Sequence, residues 1–450
     1  MTTIPAFSTV RGSSATRPLR DPLTIGLFVL AFLAHAVLLF VVIPKISSRL
    51  RPSYNQDVYT DGYNQLAMNL VDGNGYRMYP DTAKTLMREP GYPLFLAGIF
   101  YVFGNSFTAV KLANMLMAFA AAGLMVYLLR KLFSHALMIL GPPLLFLFHP
   151  AILIAESRGG IEILYTLFLL LFMCTLYVAI RSNRIWHYVL SGGVLGSTLL
   201  VRSVPILFPV LVLGYLVVFE RQEKVLVHLR NVALMIVAMT FVISPWIIRN
   251  YALTRKFVPT ASVLGVSAQT GEYILTHHAS NNRRVDTEAA AERNELARQL
   301  GYPFKEGYYQ CFYSSVDELR FSDYLFHRVE NDYRESPKLF LRIVLTNLGY
   351  FWVGGKTEDS IDMNLAVQLP FLILAAIGIV WFARTNRLKV VAPMILLILY
   401  SEAVCAPILA QARYSVPIIP YLTVLACIPL LAIQRMLANR PVDTELTSRD

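Results

Sequence analysis

Blocks of about twenty consecutive apolar residues, separated by polar connectors, recur along most of the chain. A helix of this length crosses the ~30 Å hydrocarbon core of a bilayer. The pattern therefore predicts an all-α polytopic membrane protein. Ten spans are expected, at about residues 22–44, 107–129, 136–155, 161–180, 187–201, 204–219, 231–247, 364–383, 391–409 and 415–437.

Two further apolar pieces, Tyr92–Gly104 and Phe340–Trp352, are too short to cross as straight helices. We expect interfacial or re-entrant helices at both places. If both pieces cross instead, the number of spans rises from ten to twelve, and the termini stay on the same side.

The charges set the expected topology. The chain is 56% hydrophobic and only 15% charged, and its net charge of +11 lies mostly in short connectors between spans. These connectors all fall on the side of the N-terminus, which is the cytoplasmic side by the positive-inside rule. We therefore expect a protein of the cytoplasmic (inner) membrane that binds no nucleic acid. The whole chain, 1–450, is expected to form a single integral membrane domain.

Two long polar segments, 45–106 and 248–363, are expected to face outward. In the first segment, apolar residues recur at helical spacing and a glycine-rich turn, Asp72–Gly75, follows them. Asp57 and Asp61 are four positions apart, so in a continuous helix they would share a polar face. Asp61 is equally suited to be the N-cap of this helix, and Asp57 to be a solvated loop charge. The second segment is predicted to form a helical cap, with helices at Asp286–Leu300 and Phe321–Glu335.

Several charged residues lie at the outer ends of spans, where the positive-inside rule does not predict arginine. Charges at the membrane edge are costly and usually functional, although headgroup binding and simple ion pairing are the alternatives. The residues concerned are Glu156, Arg158 and Glu162, then Arg202, Arg249 with Asn250, and Arg413 with Tyr414.

Acids and arginines together at an outer membrane surface suit glycosyl transfer from a lipid-phosphate sugar. A carboxylate takes the proton of an acceptor hydroxyl, and guanidinium groups hold the donor phosphate as charge develops on it. The chain has no glycine-rich phosphate loop and no nucleotide-binding βα pattern, so a nucleotide donor is not expected.

The motifs "DGYNQLAMNLVDGNGY…REPGYPLFLAGIFYVFG", "GGVLGSTLLVRSVP", "SPWIIRNYALTRKFVPT" and "ARYSVPIIP" occur in that order. This ordered set of motifs resembles that of the membrane-embedded GT-C glycosyltransferases. The resemblance is to the bacterial branch related to dolichyl-phosphate-mannose–protein mannosyltransferases (glycosyltransferase family 39-like) and to lipid A aminoarabinose transferases. It implies juxtamembrane helices in the first outer loop. It also implies transfer from a polyprenyl-phosphate carrier, usually with inversion at the anomeric carbon.

The resemblance implies that the catalytic base is an acid of the first outer loop. That role falls to Asp61, with Asp57 as the second candidate because some relatives place the acid four residues before the tyrosine, where this chain has Tyr59. The protein-mannosylating branch tends to have Asp-Glu in this loop, whereas Gly62 follows Asp61 here, which weakens a protein acceptor. The donor-phosphate role falls to Arg88 and Arg413, with Arg202 and Arg249 as further candidates. The remaining expected substrate-binding residues are Tyr63, Glu89, Glu162 and Tyr414.

The sequence requires no cofactor and leaves a divalent cation open. Two groups of side chains are of the types that bind a divalent ion: His277-His278, and Glu358-Asp359 with Asp362. The alternative is that they are ordinary polar loop residues, and we assign no metal ligand. Expected partners are the polyprenyl-phosphate sugar, membrane lipids and an acceptor that is a lipid, a cell-envelope glycan or a protein. The alternative function is a flippase or transporter of lipid-linked sugar, for which Glu402 within an apolar span is the argument.

Overall fold

The computed structural model describes residues 22–50, 60–277, 285–355 and 357–437. Within these ranges the protein is almost entirely helical. The helices are α1 Pro22–Val37, α2 Ile43–Leu50, α3 Tyr63–Val71, α4 Gly91–Phe103, α5 Phe107–Leu132, α6 Ala136–Leu147, α7 Pro150–Ser157, α8 Glu162–Ser182, α9 Ile185–Val201, α10 Phe208–Phe219, α11 Val225–Thr254, α12 Leu264–Thr276, α13 Val285–Gln299, α14 Ser315–Glu335, α15 Pro337–Val353, α16 Glu358–Arg384, α17 Leu388–Cys405 and α18 Ile419–Leu437.

Seven helices in the described ranges are long and apolar enough to cross a membrane, or eight if the bent pair α6 and α7 is one span. Three shorter apolar helices accompany them, at Gly91–Phe103, Ile185–Val201 and Val204–Phe219. The prediction of an all-α polytopic membrane protein is confirmed.

The span predicted at 136–155 is bent by 44° between α6 and α7. Pro150 begins α7, and the ring nitrogen Nδ1 of His149 accepts a hydrogen bond of 3.2 Å from the backbone N–H of Ala151. Proline lacks the N–H that would continue α6, so a capped second helix starts here in a new direction.

The core of the bundle is formed by α8, which packs against α5 and α9, while α9 packs against α11. A second group of helices consists of α16, α18 and α6. In the part of the chain that the structure describes, three 3₁₀ turns interrupt the helices, at Thr60–Gly62, Val204–Leu207 and Ala412–Ile418. Each turn carries or adjoins a candidate site residue.

The two polar segments pack on each other through backbone and side-chain hydrogen bonds. The strands β1 Phe304–Lys305 and β2 Cys311–Phe312 form a short antiparallel pair, and the Phe312 carbonyl accepts from the backbone N–H of Ala83 at 3.0 Å. Glu318 accepts from the Leu86 N–H at 2.8 Å. The first segment and the 304–318 region are therefore one packed layer.

Candidate active site

Asp61 lies in the turn before α3 rather than on the helix. Its backbone is left-handed, with φ 73°, and Gly62 follows at φ 75° and is the N-cap residue. Aspartate is one of the few residues besides glycine that adopt this conformation locally. A Cβ at position 62 would strike the side chain of Met78 and lie 3.3 Å from the Tyr309 ring. The expected shared helical face of Asp57 and Asp61 is therefore wrong for Asp61, and so is its N-cap role. Asp57 lies outside the described residues.

Arg413 and Asp61 form an ion pair across 352 positions of sequence. Nη1 of Arg413 donates to Oδ2 of Asp61 at 2.6 Å, and Nη2 reaches Oδ1 at 3.5 Å. The Nε of Arg413 donates to Gln411 Oε1 at 2.9 Å, which fixes the plane of the guanidinium group. Charge-assisted pairs of this kind are about twice as strong as neutral hydrogen bonds.

Arg88 contacts the other side of the same turn. Its Nε donates to the backbone carbonyl of Asp61 at 3.3 Å, and its guanidinium carbon lies 5.5 Å from the ring centres of both Tyr63 and Tyr309. The hydroxyl of Tyr309 donates to Oδ1 of Asp61 at 3.4 Å. Two aromatic rings thus hold a cation beside the carboxylate.

Arg202 completes the cluster of cations. It is the C-cap residue of α9, and its guanidinium carbon lies 4.3 Å from the centre of the Tyr414 ring, which Arg413 contacts at 5.5 Å. A Cβ at Gly91 would lie 2.7 Å from the carbonyl oxygen of Leu200. Glycine therefore allows the start of α4 to approach the end of α9, which brings the Arg88 loop to Arg202.

Glu89 is buried and anchored rather than open to a ligand. Its Oε1 accepts from the backbone N–H of Ser203 at 3.1 Å and from the Ser203 hydroxyl at 2.6 Å. The Tyr76 hydroxyl donates to the backbone carbonyls of Arg88 and Glu89, at 3.0 and 2.9 Å. These contacts anchor the Arg88–Glu89 loop to the end of α9, and the substrate-binding role of Glu89 stays a prediction.

Glu162 begins α8 and is 5% exposed. Its carboxylate lies over Gly160, where a Cβ would collide with it. It is within electrostatic reach of Arg202 and Arg413. Glu162 is thus a third carboxylate of the cluster.

Arg249 is not brought to Asp61. Its guanidinium carbon lies 4.5 Å from the Trp246 ring centre and 5.3 Å from that of Tyr76, and Nη1 donates to Asn250 at 2.9 Å. It belongs to an aromatic cluster formed with Trp246 and Tyr76.

The arginines set the charge state of the site. Burial alone would raise the pKa of the Asp61 carboxyl, but Arg413, Arg88 and Arg202 together hold that pKa well below its usual range. Burial and the Asp61 charge raise the pKa of Tyr309 well above its usual range. At neutral pH Asp61 is therefore ionised and Tyr309 is a neutral hydrogen-bond donor.

No group of three or more metal-ligating side chains occurs among the described residues. His277 stacks on Tyr273, with ring centres 3.9 Å apart, and His278 lies outside the described ranges.

Three residues of the cluster were not predicted: Tyr309, Ser203 and Gln411. Tyr309 lies between β1 and β2 in "GYYQCFY", which has no helical or strand period to single it out. Ser203 directly follows the predicted Arg202, and Gln411 lies two positions before the predicted Arg413. This proximity is the only indication of either residue in the sequence.

No curated protein matches the chain. Residues 87–248, which include Arg88, Glu89, Glu162 and Arg202, match the family model described as dolichyl-phosphate-mannose-protein mannosyltransferase. This match confirms the resemblance that the sequence motifs indicate and supports a multi-pass membrane glycosyltransferase of the GT-C type.

Proposed function

We propose that the protein transfers a sugar from a polyprenyl-phosphate carrier to an acceptor hydroxyl at the outer face of the cytoplasmic membrane. The observation that carries the proposal is the Asp61 carboxylate, placed among the guanidinium groups of Arg88, Arg202 and Arg413. One ionised acid among several fixed cations suits a reaction in which a proton leaves the acceptor while negative charge grows on a phosphate.

The arginines are proposed to hold the donor phosphate. Arg413 and Arg88 flank the Asp61 turn, and Arg202 reaches the same region across the Tyr414 ring. A guanidinium group binds phosphate through two parallel N–H donors and keeps its charge at any working pH. As the phosphodiester of the donor becomes a monoester, its added charge is stabilised by groups that are already in place.

Asp61 is proposed to be the general base. It accepts the proton of the acceptor hydroxyl, the acceptor oxygen forms a bond to the anomeric carbon, and the bond from that carbon to the phosphate oxygen breaks. The electron pair of the broken bond stays on the phosphate. A single displacement of this kind inverts the anomeric carbon, as the family resemblance implies.

The acceptor is proposed to reach the site beside the packed layer formed by the two polar segments. Ser315 in the second segment donates to the Lys84 carbonyl at 2.5 Å, and Lys305 pairs with Asp81 at 3.0 Å. Arg88 of the first segment and Tyr309 of the second contact the Asp61 turn, and we propose that residues of both segments contact a lipid, glycan or protein acceptor.

The transport alternative loses its main argument. Glu402 lies in α17, but its carboxylate accepts a hydrogen bond of 3.1 Å from the Trp352 indole N–H. A structural partner therefore accounts for this charge without a transport path.

The test is transfer of radiolabelled sugar from a panel of polyprenyl-phosphate sugars in membranes that contain the overexpressed protein. Asp61→Asn is expected to reduce transfer about 10²-fold or more, which is the usual contribution of a general base. Asp72→Asn is the matched control, since Asp72 is an exposed carboxylate at the end of α3.

Loss of transfer in Asp57→Asn but not in Asp61→Asn would move the base to Asp57. Movement of lipid-linked sugar across the bilayer by wild type, without transfer from any donor, would overturn the reaction itself.

A further inference from the structure

The charged side chains of the site balance one another before any substrate arrives. Three carry a positive charge and three a negative charge: Arg88, Arg202 and Arg413 against Asp61, Glu89 and Glu162. A phosphodiester brings one more negative charge into this partly desolvated place. Of the three arginines, Arg413 forms a direct ion pair, with Asp61 at 2.6 Å, so a phosphate can pair closely with Arg413 only if the Asp61 carboxylate withdraws.

Only one of the three carboxylates is placed to withdraw. Glu89 is 5% exposed and receives two hydrogen bonds from Ser203. Glu162 is 5% exposed and lies against Gly160. The Asp61 side chain is 21% exposed and projects from a short turn.

We propose that the Asp61–Arg413 ion pair is a resting state that the donor phosphate opens by taking the place of Asp61 on Arg413, so that the base becomes available only after the donor has bound. The inference rests on the proposed function, since it assigns an order of events to the same site. It predicts that donor binding precedes deprotonation of the acceptor.

The surroundings keep both partners in place when the pair opens. Arg413 retains its bond to Gln411 and its contact with the Tyr414 ring. Asp61 retains the hydroxyl of Tyr309, and Arg88 still holds its backbone carbonyl. Neither group has to be repositioned from solvent, so the exchange needs only a small movement of one carboxylate.

The exchange also strengthens the base. In the resting pair the cations hold the pKa of Asp61 well below its usual range, and a carboxylate with so low a pKa takes a proton poorly. A phosphate on Arg413 offsets much of that positive charge, which raises the pKa of Asp61 towards its usual range. The carboxylate then accepts the acceptor proton, while the phosphate receives the electron pair of the breaking bond. Deprotonation of an acceptor, or of water, is thereby disfavoured in the absence of donor.

The test is equilibrium binding of a short isoprenyl monophosphate to the purified protein in detergent. Asp61→Asn removes the competing charge, so it is expected to bind the probe about tenfold to hundredfold more tightly than wild type, the equivalent of one charged hydrogen bond. The gain is expected to vanish in an Arg413→Gln background, because the freed partner is then missing. Asp72→Asn is expected to bind like wild type.

Equal or weaker binding by Asp61→Asn, while wild type binds the probe and transfers sugar, would overturn this inference alone. A gain that persists without Arg413 would overturn it as well. Failure of every variant and of wild type to bind the probe would overturn the proposed function. If Asp61→Asn does not fold, Asp61→Ala provides the same comparison.

Discussion

The carboxylate of Glu89 receives two hydrogen bonds from a single residue, Ser203, which donates its backbone N–H at 3.1 Å and its hydroxyl at 2.6 Å. This contact joins the loop before α4 to the end of α9. Because Arg88 precedes Glu89 and Arg202 precedes Ser203, it also fixes two of the three arginines of the site relative to each other.

Ser203→Ala is expected to lower the free energy of unfolding by about 1.5 kcal/mol, the value of one hydrogen bond to a charged group. It is also expected to raise the KM for the donor, because the two arginines lose a shared anchor. Thermal unfolding in detergent and transfer kinetics measure the two effects.

Ser197→Ala is the control for this anchor, since its hydroxyl bonds to the Gly193 carbonyl within α9. An unchanged donor KM in Ser203→Ala would show that the contact does not position the arginines.

Tyr309 supplies a neutral hydrogen bond to the Asp61 carboxylate at 3.4 Å. Tyr309→Phe is expected to reduce kcat by about fivefold, corresponding to about 1 kcal/mol, with the donor KM unchanged, because the Asp61 carboxylate loses the hydrogen bond that orients it and this loss outweighs the gain in basicity. Loss of a donor to the ionised form raises the pKa of Asp61. The acid limb of the pH–rate profile is therefore expected to move to higher pH.

Tyr308→Phe is the matched change, because its ring packs edge-on against Tyr309 at 4.8 Å. The same shift of the acid limb in both variants would refute a specific part for Tyr309.

Arg88 and Arg249 are expected to differ, although both were predicted as phosphate ligands. Arg88 contacts the Asp61 turn, so Arg88→Gln is expected to raise the donor KM about tenfold or more. Arg249 stacks on Trp246 and Tyr76, so Arg249→Gln is expected to lower the unfolding temperature with little change in the donor KM. Steady-state kinetics with a varied donor concentration separates the two, and equal KM values would contradict the geometry.

The apolar blocks were sufficient to predict the helices of the bundle, because burial in a bilayer demands long runs of apolar residues. The spacing around Leu66 likewise predicted α3, and the short piece at Tyr92 was correctly kept apart from the long spans. The arginines at the ends of spans expected to face outward were singled out because the expected topology did not explain them. Arg202 and Arg413 do meet at Tyr414.

The contacts that make the site were not predictable from local pattern. The Asp61–Arg413 pair joins residues 352 positions apart, and no periodicity reports such a contact. The backbone at Asp61 forms a left-handed turn. The four-residue spacing of Asp57 and Asp61 had suggested a helix there instead. Arg249 satisfied the same criterion as Arg202, yet its guanidinium group lies over the rings of Trp246 in α11 and Tyr76 in the first segment and not beside Asp61.

Glu272, in α12 of the second polar segment, is a pH-sensitive carboxyl. Burial, followed by the charge of Asp332, raises the pKa of Glu272 from 4.5 to about 7. The folded protein therefore keeps a proton that the unfolded chain releases near pH 4.5, so stability falls as the pH rises from about 4.5 to 7 and stays lower above that. Arg328 reduces this effect and Glu292 adds to it.

Glu272→Gln is expected to raise the unfolding temperature at pH 8 and to leave it nearly unchanged at pH 4, because the amide needs no proton. Glu288→Gln, which changes an exposed carboxylate on α13, is expected to do neither. An equal stabilisation at both pH values would contradict the assigned protonation.

The first span is joined to α7 by a buried pair of side chains. His35 Nε2 lies 2.6 Å from Glu156 Oε2, and both side chains are 0% exposed. Removing one member leaves a buried polar group without its partner, so His35→Leu is expected to cost about 3 kcal/mol. Replacing both members by leucine is expected to be nearly neutral, because no buried polar group then remains.

Thermal unfolding of wild type, the two single variants and the double variant measures the coupling between them. Ser191→Ala, which removes another fully buried polar group, is expected to show no coupling with His35→Leu. If the stability losses of the two single variants add in the double variant, His35 and Glu156 do not stabilise the fold as a pair. The functional role that the sequence suggested for Glu156, from its place at the expected outer end of a span, is then favoured.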